Sequence, residues 1–111
     1  MDEILVFLIM AEIELIRNFE KISFVIPNRL LKLQGYLLKE HSKEFLEIII
    51  YRGFSSSTTH QIEIDSEKQV IEFDHYFKNF ILYEAPLTKG SEVIIRENTS
   101  THFFLNHRNW S

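Results

Sequence analysis

The stretch from Glu47 to Thr59 constrains the fold more than any other part of this chain. Ile48, Ile49 and Ile50 stand in a row, Tyr51-Arg52 follows, then Gly53 and Phe54, then the five hydroxyl residues Ser55-Ser56-Ser57-Thr58-Thr59. β-Branched side chains are stiff at χ1 and pack well on a pleated surface, so the Ile run reads as a strand. Three apolar residues in succession, rather than in alternation with polar ones, predict that Glu47–Arg52 is a central strand covered on both faces. A Gly at the end of such a run permits a bulge or a close backbone approach. The hydroxyls have two readings. They can satisfy the N–H groups of a loop. Alternatively Arg52, Gly53, Phe54, Ser55, Ser56, Ser57 and Thr58 form a binding loop whose backbone and hydroxyl donors grip an anion or a partner's backbone.

The N-terminal segment follows a different period. Ile4, Phe7, Leu8, Ala11 and Leu15 recur at helical spacing, and Asp2 and Glu3 suit a helix N-terminus. The pattern predicts an amphipathic helix over Glu3–Asn18. Val6, Ile9, Met10, Ile13 and Ile16 leave little polar face on its first two turns. Such a helix either packs on a sheet or docks on a partner or a membrane surface, with Val6, Phe7, Ile9 and Met10 as the docking residues. The apolar run Ile4–Ala11 is broken by Glu12 and Glu14 and falls short of the ~20 residues a transmembrane span requires. The opening Met1-Asp2-Glu3 lacks the positive start of a signal peptide.

From Phe19 the period changes to two, with Ile22, Phe24 and Ile26 alternating until Pro27-Asn28 turns the chain. Arg29–Leu38 and Glu44–Phe54 read as a hairpin around 39–43. Ile62–Asp65 and Val70–Asp74 read as a second. Phe77–Ala85 is an apolar strand ending at Pro86, and Thr88-Lys89-Gly90-Ser91 is a turn. Glu92–Arg96 and Thr101–Leu105 read as a last hairpin, and His107–Ser111 as a frayed tail. Short strands joined by polar turns predict a mainly β protein, α+β at the margin. Its expected architecture is an antiparallel meander curling into a small barrel or sandwich behind the N-terminal helix. One domain is expected over 1–111, with the helix at 3–18 and the β-domain at 21–106.

The sequence argues against most chemistry. It contains no Cys, which removes disulfides, thiolate metal sites and Cys nucleophiles. His41, His60, His75, His102 and His107 show no metal-ligand spacing, so neither a metal nor a cofactor is expected. A nucleophile elbow needs Gly on both sides of its Ser, and a phosphate-binding loop needs more Gly and a Lys; around Ser55 there is only Gly53. With 12 Lys and Arg against 16 Asp and Glu, dispersed along the chain, the basic footprint of a nucleic-acid binder is missing. No catalytic residue is assigned, and a non-enzymatic role is expected.

The segment Glu47–Thr59 resembles the strand end of a family of small proteins of cyanobacteria and plastids that has no assigned activity. Its form there is Glu, three branched aliphatics, an aromatic, a base, Gly, Phe and three Ser. This chain supplies Glu47, Ile48–Ile50, Tyr51, Arg52, Gly53, Phe54 and Ser55–Ser57 in register. Pro27–Leu38 is similar to the preceding strand of that family, and Asp65, Ile81 and Ala85-Pro86 to its later landmarks. The likeness covers Pro27–Pro86; Thr58-Thr59-His60 departs from the Arg-Pro-Thr that follows the Ser run elsewhere. The resemblance implies a plastid of an oxygenic photosynthetic lineage. The composition agrees: with 15 Ile and 2 Ala, the chain is skewed toward residues of A/T-rich codons. The expected function is therefore an accessory or assembly subunit that docks on a larger plastid complex in the stroma or at the stromal face of the thylakoid, such as a photosynthetic complex. Its partner would be protein, with peripheral membrane contact as a further option. The alternative is a small-ligand-binding β-barrel with the Gly53–Thr59 loop at its mouth.

Overall fold

A computed structural model describes the backbone of residues 3–59 and 74–111, and the side chains of 14–59 and 75–111. The chain is mainly β, with five antiparallel strands in one sheet and a single α-helix among the described residues. The helix α1 spans Glu3–Val25. The strands are β1 Arg29–Lys39, β2 Ser42–Tyr51, β3 Phe54–Ser57, β4 Asp74–Glu84 and β5 Ile94–Asn98. Two short 3₁₀ turns, Phe103–Leu105 and His107–Trp110, complete the described chain. The sheet order is β3-β2-β1-β4-β5. The sheet is open, and it is a meander only through β1, β2 and β3; β4 then returns to the free side of β1. The strand expected at Glu47–Arg52 is β2, an interior strand between β3 and β1, while β1 is the middle strand of the five. The expected hairpin of 62–65 with 70–74 lies outside the described residues apart from Asp74, which opens β4.

The helix runs past its expected end at Asn18 and takes in the residues read as a strand. Phe19, Ile22 and Ile26 fit a period of two poorly but a period of 3.6 well once Leu15, Ile16 and Ser23 join them. Leu15, Ile16, Phe19 and Ser23 are buried, with Ile22 and Ile26 packed beside them, while Glu14, Arg17, Asn18 and Lys21 face solvent. The last helical bond runs from the Ile26 N–H to the Ile22 carbonyl at 3.1 Å. Pro27 then disfavours helical geometry at Ile26 and stops the helix.

The helix lies against β1, β2 and β3 on one face of the sheet. That face contributes Leu31, Leu33 and Leu37 from β1, Leu46, Ile48 and Ile50 from β2, and Phe80 and Leu82 from β4. Phe19 meets Phe80 edge-on with ring centroids 6.1 Å apart. Phe104 and Trp110 close the same core and are fully buried. The C-terminal residues are therefore neither a strand nor a frayed tail. Phe103, Phe104 and Leu105 are consecutive apolar residues, and a 3₁₀ turn points Phe104 inward without demanding ladder partners. β5 pairs with β4, through Tyr83↔Ile94 and Phe80↔Asn98, and residues 103–105 form a 3₁₀ turn in place of the expected partner strand.

The expectation that the Ile run is covered on both faces holds unequally. Ile48 and Ile50 are fully buried under the helix. Ile49 points the other way and is half-buried with Tyr51 against a smaller cluster of Leu30, Ile81 and Tyr83, which Ala85 and Leu87 flank. That cluster forms because the chain after β4 folds back: the Ala85 N–H donates to the Asn28 carbonyl at 3.0 Å. The expected turn at 88–91 is present, closed by the Ser91 N–H on the Thr88 carbonyl at 2.8 Å.

Candidate functional site

The residues singled out around Gly53 are brought together, but as a hairpin and an edge strand rather than a loop. β2 ends at Tyr51, and β3 begins at Phe54, which pairs with Tyr51 across the two-residue turn Arg52-Gly53. Arg52 has φ 50° and Gly53 φ 87°, the two consecutive positive values that a type I′ hairpin turn requires. Gly is free to adopt this geometry, whereas Arg52 is strained by ~1 kcal/mol or more. The Arg52 guanidinium sits over the Tyr51 ring, 5.1 Å from its centroid.

The turn is clasped by the end of the helix. The Gly53 N–H donates to Ser23 Oγ at 2.8 Å, and the Ser23 hydroxyl donates to the Glu20 carbonyl at 2.8 Å. Ser23 is fully buried, so this pairing removes what would otherwise be an unsatisfied polar group. A Cβ at Gly53 would lie 3.2 Å from Phe24 Cδ2. Gly53→Val is therefore expected to destabilise the protein by ~2 kcal/mol or more, from positive φ and crowding together. Urea unfolding measures the loss. Hydrogen exchange of the Gly53 amide in a Ser23→Ala chain tests the clasp separately, with faster exchange expected.

Most of the hydroxyl run is engaged within the protein. The Ser55 hydroxyl donates to Glu20 Oε2 at 2.8 Å, and the Thr58 hydroxyl to Glu47 Oε1 at 2.8 Å. The Glu47 N–H donates to Thr59 Oγ1 at 3.1 Å, and the Thr59 N–H reaches Ser57 Oγ at 3.4 Å. Ser56 is exposed on the face away from the helix. Glu47 is a node of this network, because its Oε2 also accepts from Gln34 Nε2 at 2.9 Å and lies 4.0 Å from Lys32 Nζ. With Ser56, the residues of the motif left outward are Arg52 and Phe54. Phe54 is 78% exposed, and beside the clasp Phe24 and Val25 are 71% and 70% exposed. The helix residues Val6, Phe7, Ile9 and Met10 lie within α1, and their side chains fall outside the described residues.

Sequence reading missed a second constellation, on the sheet face away from the helix. Phe45, Tyr36 and Tyr76 lie opposite one another on β2, β1 and β4. The Tyr36 ring centroid is 6.3 Å from that of Phe45 and 5.7 Å from that of Tyr76. Lys43 Nζ lies 4.7 Å and Lys78 Nζ 5.4 Å from the same Tyr36 centroid. Next along the sheet, Asn79 Nδ2 reaches Gln34 Oε1 at 3.4 Å, continuing the Glu47–Gln34 contact across three strands. Lys78 occupies its place through a β-bulge: Gln34 pairs with Asn79 and Gly35 with Phe77, leaving Lys78 unpaired in register. Bulges re-aim side chains in this way. The only local signal in the sequence was Gly35 inside an apolar strand, which marks a bulge or close approach.

Among the described residues no three His, Asp or Glu side chains gather as a metal site, and no helix is long and apolar enough to cross a membrane. The chain has no match among protein-family models, curated proteins or solved structures.

Proposed function

We propose that this protein is a non-enzymatic accessory or assembly subunit that docks on a larger protein complex. The observation that carries the reading is the set of exposed apolar side chains around the helix end and the β2–β3 turn, Phe24 and Val25 on the helix and Phe54 on the sheet face away from it. Phe24, Val25 and Phe54 are each at least 70% exposed there, around a clasp held by Ser23, Glu20 and Gly53. Large apolar side chains on a rigid support are the usual anchors of interfaces. The hydroxyls that could have served a ligand are mostly spent on the clasp and on Glu47, which favours partner docking over a ligand loop. The sheet is open, so the barrel mouth of the alternative reading has no counterpart in the fold. The apolar helix positions Val6, Phe7, Ile9 and Met10 are the sequence-based extension of the docking surface. What supports a plastid setting, at the stroma or the stromal face of the thylakoid, is the motif Glu47–Ser57 together with the Ile-rich composition.

The test is co-sedimentation of the chain with stromal and thylakoid assemblies, comparing it with a Phe24→Ser/Phe54→Ser chain. The expected result is stoichiometric association that drops about tenfold or more in the double variant. Both residues are exposed, so circular dichroism is expected to be unchanged. An unmodified chain that sediments alone, as a monomer, overturns the reading.

A further inference from the structure

The Tyr36 face carries two cations that form no ion pair with the side chains the structure describes. Lys43 and Lys78 lie within 4.7 Å and 5.4 Å of one ring centroid, so their ammonium groups are no more than about 10 Å apart. Neither has an ion-pair partner among the residues whose side chains are described, 14–59 and 75–111. The neighbouring Glu44 is paired with Lys39 at 2.9 Å, and Glu47 is engaged by Gln34, Thr58 and Lys32. Two like charges brought onto one ring repel each other, and the attraction of the ring for each offsets this only in part. An anion bridging them would relieve the repulsion. Around them the rings remain open: Phe45 is 47% and Tyr76 37% exposed.

We infer that this face docks a short acidic segment of a partner protein, with carboxylates on Lys43 and Lys78 and an apolar side chain across the Phe45–Tyr36–Tyr76 row. The inference rests on the accessory-subunit reading and adds the chemistry of the partner. Charge complementarity selects the acid, and the exposed rings select an apolar or aromatic neighbour in the same segment. The size of the positive patch selects peptide over nucleic acid. Two ammonium groups on a chain of net charge −4 neutralise two charges, whereas a nucleic-acid strand presents a phosphate at every step along a tracking groove. The bulge gives the arrangement its cause in the fold. Without the extra residue in β4, position 78 would fall in the ordinary alternation of the strand, and only Lys43 would reach Tyr36.

The test uses a fluorescein-labelled peptide of alternating Glu-Glu-Phe units, read by anisotropy against the full chain. Its controls are the same peptide with Gln for Glu and a nine-base oligothymidylate. Saturable binding of the acidic peptide is expected, weakened by salt, with the Gln peptide and the oligonucleotide binding less well. Lys43→Gln/Lys78→Gln is expected to lower affinity about tenfold, the combined effect of removing two exposed charges. Both lysines are exposed, so the fold is expected to persist, and circular dichroism checks it. Peptide affinity indifferent to the double substitution overturns the inference. Tighter binding of the oligonucleotide with the same lysine dependence also overturns it, in favour of a nucleic-acid surface. Co-sedimentation separates this inference from the broader one. Full association of the Lys43→Gln/Lys78→Gln chain with its assembly overturns acidic-segment docking and leaves the accessory role standing. If the unmodified chain associates with nothing, the accessory role falls, and the acidic-segment docking that rests on it falls too.

Discussion

Gly35→Ala is expected to be among the most damaging single substitutions in this protein, lowering stability by ~3 kcal/mol or more. A Cβ at position 35 would stand 1.8 Å from the Tyr76 carbonyl oxygen, 2.7 Å from the Tyr76 carbonyl carbon and 2.8 Å from Phe77 Cα. These are backbone atoms of the neighbouring strand, so no rotamer change relieves the clash. Gly35 is also the residue at which the β1–β4 register shifts. To admit a methyl group, β4 must move away from the middle strand, breaking ladder bonds and pulling Phe80 out of the core. Urea unfolding is the measurement. With a slope of about 2 kcal/mol/M for a chain of this size, the midpoint should fall by roughly 1.5 M. A loss under ~1 kcal/mol would mean that β4 yields easily, and that the bulge is not held by the absence of a side chain at position 35. Where the variant does fold, the geometry predicts that Lys78 no longer reaches Tyr36.

Trp110→Ala is expected to cost ~3–5 kcal/mol, the range for large aromatic truncations in a core. Trp110 is fully buried, and its indole N–H donates to the Phe104 carbonyl at 2.8 Å. Its ring meets that of Phe104 edge-on, with centroids 6.4 Å apart and planes at 90°. The backbone holds the same position from outside, because Arg29 Nε donates to the Trp110 carbonyl at 2.9 Å. Truncation therefore leaves a large void and an unpaired carbonyl next to the helix and the sheet at once. The substitution removes the single Trp fluorophore, so thermal unfolding by far-ultraviolet circular dichroism is the suitable readout. An unchanged melting temperature would show that the C-terminal turns pack loosely and that His107–Ser111 frays after all.

These two residues also show where sequence reasoning reached its limit. Gly35 and Trp110 each look ordinary in the chain: one Gly in an apolar run, one Trp in a polar tail. Their importance comes from neighbours 41 and 81 residues away in sequence, Tyr76 and Arg29 respectively. The same holds for Ser23, whose hydroxyl would be unremarkable on a helix but for the Gly53 N–H that donates to it. The misreading of Phe19–Ile26 has a similar cause. Ile22, Phe24 and Ile26 satisfy strand alternation, and the pattern of burial that selects helix exists only once Leu15, Ile16 and Phe19 meet Phe80 and the rest of the sheet face.

The features legible in the residues are local ones. The strand at Ile48–Ile50, the break at Gly53, the turns at Pro27-Asn28 and 88–91, and the antiparallel, mainly β character follow from side-chain shape and backbone allowance within a few residues. The positive φ at Gly53 belongs to the same class, because Gly reaches that region without steric cost. Other features arise only when the chain has folded: the strand order, the clasp of the helix on the hairpin turn, the burial of the C-terminal turns, and the gathering of Lys43 and Lys78 on Tyr36. Each of these depends on which distant segments meet. Non-local contacts are chosen by the burial of a shared core and by strand register, and neither leaves a signature in the residues on one side of the contact.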